Sequence, residues 1–305
     1  MRVLAGVCAL ALAGCVTPYP DLSQSRSPCR SEPGGWCGFV RQAAVESYGY
    51  AMLPANAYGP EDDDFYAVLP PEFARVRVSE NDESGLAYTV YDRYKNAGRT
   101  GALLARVIAF RGTEFGSRVD IVRGSLRDNQ IEAAAKVYAA ERAALDAEGN
   151  TDVQIEATGH SLGGALATQM SIDHADVRAV VFNTSPLFAG DPMVHDTQRL
   201  ALAERGEFLR LLRRYSTPPA ANTVVVNCNP SAGAAAKHSI RRLGDCLAWI
   251  AAYDHAAAVA LLAANSIGKP EAECGPVDKA HTGPIAPADY ATLEPCPHAA
   301  RVEQP

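Results

Sequence analysis

Residues 158–164 read TGHSLGG, and this string constrains the fold more than any other part of the chain. An alternating stretch, TDVQIEA, runs into it, and a helix-forming stretch, ALATQMSIDHA, runs out of it. The first reads as a strand with Val153 and Ile155 on one face. The second is rich in Ala, Leu and Met, all good helix formers. A strand that passes directly into a helix through G-x-S-x-G brings two backbones together where side chains would collide. Gly159 and Gly163 remove those side chains. Ser161 is left at the apex, with a strained backbone and an exposed hydroxyl, and the N–H of Leu162 opens the helix beside it. A glycine-rich turn with no chemical task needs no such framing, so Ser161 is the expected nucleophile.

The flanking segments alternate in type. RVRVS and LAYTVYDRY read as strands, and ALLARVIAFRG is a nearly unbroken apolar run, as expected for a strand buried on both faces. DNQIEAAAKVYAAERAALDAEG follows as a long helix with a glycine stop. The elbow comes next, and then another apolar strand, VRAVVFNTS. Strands alternating with helices predict an α/β fold whose central sheet is mainly parallel, with right-handed crossovers. In such sheets the site lies at the carboxyl ends of the strands, where Ser161 falls.

A second element of the site is IAFRGTE, residues 108–114, at the end of the long apolar strand. Acyl transfer requires two N–H donors converging on a tetrahedral oxyanion, one after the nucleophile and one from an earlier loop. Leu162 and Thr113 are the expected pair. VIAFRGTE followed by ATGHSLGGALA resembles the class 3 lipase family, and YAMLPANAYG resembles that family's early helix. The resemblance is clear over roughly residues 84–190. It implies an α/β-hydrolase fold, with Ser161 as nucleophile, Thr113 and Leu162 as oxyanion hole, no metal and no cofactor. It also implies a substrate among the acylglycerols and related esters.

The acid and the histidine follow the serine in this fold. His160 sits inside the elbow and is expected to point away from the hydroxyl. His174 and His195 precede any plausible acid, and His281 and His298 lie in a proline-rich tail. His238 opens the amphipathic stretch KHSIRRLGDCLAWIAAYDHAAAVALL after the loop NPSAGAAAK, which suits a base that reaches the serine from a loop. His255 falls in the middle of the same expected helix. For the acid, RLALA at 199–203 alternates and fits the next strand, although 193–214 also reads as one helix. ERGEFL then resembles the family's acidic turn, with Glu207 where Asp is usual. Glu204 and Asp191 are the alternatives.

The chain starts MRVLAGVCALALAGCVTP, one basic residue and then an apolar run too short to span a bilayer. LAGC at its end resembles a bacterial lipobox, which implies lipidation of Cys15 and a lipid anchor in the cell envelope. Val16, where Asp would divert the chain, points to the outer membrane. The expected divisions are a signal peptide at 1–14, a tether at 15–35, the hydrolase domain at 36–267 and an irregular tail at 268–305. Beyond Cys8 and Cys15 there are six cysteines, an even number that in an exported chain predicts disulfides. Neighbour pairing gives Cys29–Cys37, Cys228–Cys246 and Cys274–Cys296. No two cysteines have the close spacing of a zinc knuckle. A net charge of −7 and the absence of any basic stripe argue against nucleic-acid binding. The expected activity is hydrolysis of a lipid ester, an acylglycerol or phospholipid, through an acyl-enzyme. An esterase or acyltransferase on other envelope esters and a non-catalytic binding lipoprotein on a hydrolase scaffold are the competing expectations.

Overall fold

The computed structural model describes residues 21–23, 29, 32–58, 66–79, 84–112, 128–213 and 218–273. The expected lipidation site Cys15, the loop residue Thr113 and the pair Cys274–Cys296 lie outside the described residues. Among those described, eight strands form one sheet: β1 (Asp21–Ser23), β2 (Phe73–Ser79), β3 (Tyr88–Asn96), β4 (Thr100–Phe110), β5 (Gln154–His160), β6 (Arg178–Phe182), β7 (Arg199–Glu204) and β8 (Asn222–Val226). Their order across the sheet is β1-β8-β7-β6-β5-β4-β3-β2. From β4 to β8 and on to β1 every pairing is parallel. β2 and β3 join as an antiparallel meander on one edge.

Seven helices flank it: α1 (Gly38–Asn56), α2 (Asp128–Ala147), α3 (Leu162–Asp173), the short α4 (Arg210–Arg213) and α5 (Ala234–Lys237), α6 (Ile240–Ala251) and α7 (Ala256–Ala264), counted among the described residues. The central strands alternate their side chains between two apolar layers. Val107, Val180, Leu200 and Leu202 pack with α1, α6 and α7 on one face. Ile108, Ile155, Val181 and Ala201 pack with α2 and α3 on the other. Covering both faces explains why these segments read as continuous apolar runs, since each fully buried aliphatic side chain contributes about 1.5–3 kcal/mol. The mainly parallel sheet, flanked by helices and with a serine elbow after β5, is an α/β-hydrolase fold.

Several local expectations are corrected. Arg199–Glu204 is a strand, and it is buried at every position rather than alternating, because it lies inside the sheet with helices over both faces. Only Ala105–Phe110 of β4 is buried throughout; the first part of the strand extends beyond the helical cover and is mostly exposed. The amphipathic run after His238 is two helices, not one. It breaks at 252–255, and His255 is the N-cap of α7 rather than a mid-helix residue. α2 does end on a glycine: Gly149 adopts φ +78°, and Asn150 N–H reaches back to the Leu145 carbonyl at 2.8 Å.

Among the described residues, two disulfides tie the irregular parts to this body. Cys29–Cys37 closes onto the N-cap of α1, and Cys228–Cys246 joins the exit of β8 to α6. Residues 21–23, expected within the tether, form the edge strand beside β8. Glu273, expected within the tail, is buried and accepts hydrogen bonds from Trp36 Nε1 at 3.2 Å, from Tyr253 Oη at 2.7 Å and from Trp249 Nε1.

Candidate active site

Ser161 occupies the single-residue step between β5 and α3, with φ +57° and ψ −122°. An L-residue reaches this region only under strain of order 1–3 kcal/mol. The surroundings hold it there. Ser161 N–H donates to the Phe182 carbonyl at 3.1 Å, and the Ser161 carbonyl accepts from Ser185 N–H at 2.9 Å and Ala165 N–H at 3.2 Å. A Cβ on Gly159 would fall on the Gly163 carbonyl group, and one on Gly163 would fall on the Phe110 carbonyl. One on Gly164 would come 2.7 Å from Thr184 Oγ1. The glycines are therefore where strand and helix touch. Leu162 is the first residue of α3, so its N–H belongs to the group that finds no acceptor within the helix. Ser161 is buried, not exposed as the sequence led us to expect. The chain leaving β4 and the end of β6 close over it: a Cβ on Gly112 would stand 3.3 Å from Ser161 Cβ. Thr113 is the next residue along that chain.

The structure brings His238 and Glu207 together. His238 is fully buried at the end of α5, and its Nδ1 lies 2.6 Å from Glu207 Oε2. Glu207 stands in the turn after β7. Leu209 N–H donates to its Oε2 at 2.9 Å, and Arg213 Nη2 is bonded to its Oε1. Burial works against the ionised form of this carboxyl. The hydrogen bond with His238 and the Arg213 charge outweigh it, and the pKa falls below the usual glutamate value. The His238 imidazole is also held below its ordinary value, chiefly by burial and further by Arg213, with Glu207 opposing both. A neutral His238 with Nδ1–H on the carboxylate leaves Nε2 as its basic nitrogen.

His160 does not simply point away. Its Nε2 is 2.6 Å from the His238 carbonyl, its Nδ1 is 3.1 Å from Tyr58 Oη, and its ring stands 4.5 Å from that of His238. A carbonyl only accepts, so Nε2 carries the proton and Tyr58 donates to Nδ1. Burial, with the charge of His238 adding to it, keeps this imidazole far below its ordinary pKa. The other candidates lie elsewhere. Glu204 is buried, and its carboxylate accepts from Cys228 N–H at 3.1 Å and Asn229 N–H at 3.0 Å. Burial pushes its pKa up to about 7, against those N–H bonds and Lys237, with Glu207 adding to the rise. Asp191 is exposed and caps Met193 N–H at 2.9 Å. His255 Nδ1 is 3.2 Å from Tyr48 Oη, His174 stacks on Tyr138, and His195 Nδ1 lies 3.2 Å from the Ser171 carbonyl.

Sequence reasoning missed Arg213, Phe208 and Asn183. Arg213 belongs to RLLRR, residues 210–214, too short to count as a basic stripe. Phe208 packs on the His238 ring at 4.2 Å. Asn183 lies in VRAVVFNTS, which reads only as an apolar strand. One local signal was available: an Arg one helical turn and a half beyond a turn glutamate. Among the described residues no group of three potential metal ligands converges, and no helix is long and apolar enough to cross a membrane.

A phospholipase-like family model, described as the Tle-like phospholipase domain, matches residues 49–261. The match runs from within α1 into α7 and includes Ser161, Glu207 and His238. Among solved structures, a triacylglycerol lipase from Penicillium expansum is 15% identical, over 62% of this chain and 80% of that one, with a TM-score of 0.44. A lipase from Rhizopus microsporus var. chinensis is 15% identical, over 57% and 69%, with a TM-score of 0.42. The Rhizomucor miehei triacylglyceride lipase is 16% identical, over 60% and 73%, with a TM-score of 0.37. No curated protein matches the chain.

Proposed function

The chain belongs to the Tle-like phospholipase family, and on that footing we propose that it is a serine hydrolase of lipid esters, acylglycerols or phospholipids. Ser161 is the nucleophile, His238 the base and Glu207 the acid. One observation carries the assignment of the last two: the buried 2.6 Å contact between His238 Nδ1 and Glu207 Oε2, beside the elbow. A scaffold retired to a binding role has no use for a buried acid–imidazole pair next to a strained serine.

In the reaction His238 Nε2 takes the Ser161 proton as Oγ attacks the ester carbonyl carbon. The N–H groups of Leu162 and Thr113 hold the oxyanion, with the N-terminus of α3 adding its positive end. Collapse of the intermediate breaks the ester C–O bond, and His238 returns the proton to the leaving alcohol. Water, deprotonated in turn by His238, then releases the fatty acid from Ser161. Glu207 orients His238 and stabilises its charged form. We further propose that Cys15 carries a lipid that tethers the enzyme to the bacterial envelope, at the outer membrane.

Hydrolysis of p-nitrophenyl esters and of phospholipid, followed in a set of variants, tests the assignments. Ser161→Ala and His238→Ala should each lose at least roughly 10⁴-fold in kcat. Glu207→Gln should lose much but less, since the imidazole remains, and Asp191→Asn should be unchanged. A normal Glu207→Gln beside a crippled Glu204→Gln or Asp191→Asn would remove Glu207 from the triad. Faster turnover of short soluble esters than of lipid would move the substrate class to small esters.

A further inference from the structure

Four consecutive residues after the start of the β6 exit, Phe182–Ser185, touch the supports of all three proposed groups. The Phe182 carbonyl and the Ser185 N–H both bond the Ser161 backbone. The Thr184 carbonyl accepts from Arg213 Nη1 at 2.5 Å, and the same guanidinium holds Glu207. Between them stands Asn183, fully buried and left-handed at φ +41°. Its Oδ1 accepts from Glu204 N–H at 2.8 Å, at the start of the turn that carries Glu207. Its Nδ2 donates to the carbonyls of Lys237 at 3.3 Å and His238 at 3.4 Å. These partners fix the orientation of the amide, because a backbone N–H must meet oxygen and two carbonyls must meet the NH₂ group.

We propose that Asn183 is a positioning residue that sets His238 against Glu207 by bridging the two loops that carry them. The inference rests on the triad reading above. Its chemistry admits few substitutes. The left-handed backbone favours Gly, Asn or Asp. Of these, Gly supplies neither contact, and Asp supplies the acceptor for Glu204 while turning a carboxylate oxygen on two carbonyls. Asn alone satisfies the backbone, the donor and the acceptor. The His238 carbonyl is thereby gripped from two strand ends, by His160 at the end of β5 and by Asn183 after β6. A carbonyl held twice fixes the backbone from which the imidazole projects, and rotation there would move Nδ1 off Glu207.

The test compares Asn183→Asp and Asn183→Gly, both compatible with the left-handed backbone, with the unmutated protein and His238→Ala. Hydrolysis of a soluble p-nitrophenyl ester and the rate of fluorophosphonate labelling report function. The far-downfield proton resonance of the His238 Nδ1–H···Glu207 bond reports geometry without turnover. Thermal unfolding and circular dichroism report folding. A misplacement on the ångström scale should lower kcat and the labelling rate about 100-fold in Asn183→Asp, with KM within about threefold. The downfield proton should shift or broaden while the circular dichroism stays native. Should Asn183→Asp fail to fold, the same readouts are taken on Asn183→Gly. A folded variant with wild-type kcat and an unmoved resonance overturns the proposal, as does lowered thermal stability with kcat and resonance intact, which is a structural role only. If the unmutated protein is labelled at Ser161 and His238→Ala is not, a wild-type rate in Asn183→Asp removes the positioning claim and leaves the triad standing. An unmutated protein with neither labelling nor the resonance overturns both.

Discussion

At the scale of the residue, the site is a balance of burial against charge. Burial alone lowers His238, and Arg213 lowers it further, while the Glu207 carboxylate raises it. The net direction is down, so the neutral base persists to lower pH than for a free histidine of pKa about 6.5. In the proposed mechanism only neutral His238 accepts the serine proton. Activity should therefore rise with pH through an acid limb that lies below the ordinary histidine value, read as kcat/KM against pH. Arg213→Gln removes a positive charge that disfavours imidazolium, so the limb should move to higher pH. It should also weaken kcat, since Glu207 keeps only Leu209 N–H to hold it against His238. A limb that moves to lower pH, or stays where it is, would mean that Arg213 does not act on the pair. Glu207 also shows why an acid partner for His238 was hard to pick from sequence. Glu204, three residues earlier, is a glutamate buried to the same extent, and it is the direction of each carboxylate, toward His238 or toward the loop after β8, that tells them apart.

At the scale of the element, the elbow was the most legible part of the chain. Its glycines, its strand and its helix each answer to a local steric need, and all three are written within a few residues of one another. The strand at 199–204 was legible only as one of two possibilities, because RLALAERGEFLRLLRR carries both a strand period and a helix period. The competition was decided by the sheet, which needs a partner for β6 on one side and β8 on the other. The break at 252–255 was missed because apolar residues continue on both sides of YDH, and helix period alone does not register a turn. Asn183 was not legible at all: its partners lie 21 and 55 residues away, and no local pattern announces them. The disulfide pairing of neighbours held for Cys29–Cys37 and Cys228–Cys246. The second of these encloses His238 in a loop with a sequence separation of 18. Closing a loop of that length stabilises a fold by about 3 kcal/mol through the unfolded chain. The double variant Cys228→Ser, Cys246→Ser should lose stability of this order in chemical denaturation and should lose kcat as well, because the segment between β8 and α6 carries the proposed base. Unchanged stability would show that the Glu204 clamp on Cys228 and Asn229 suffices to hold that loop.

At the scale of the whole molecule, the parallel strands point their carboxyl ends at one rim, and Ser161, Glu207 and His238 gather there from β5, β7 and the segment after β8. β1 runs parallel to β8, so the chain enters the sheet from the opposite rim. From Cys15 to Asp21 the chain reaches roughly 20 Å at most. The proposed lipid on Cys15 would therefore hold the β1–β8 edge close to the bilayer. Cys15→Ser should shift the protein from the membrane fraction to the soluble fraction and abolish incorporation of radiolabelled fatty acid. Equal incorporation in both forms would refute the anchor without touching the hydrolase. The hydrolase itself is tested most directly by treating the intact folded protein with a fluorophosphonate and locating the adduct by mass spectrometry. The account predicts one phosphonate per chain, on Ser161, absent from Ser161→Ala and strongly slowed in His238→Ala. A folded protein that takes up no phosphonate, or takes it up on another residue, would contradict it.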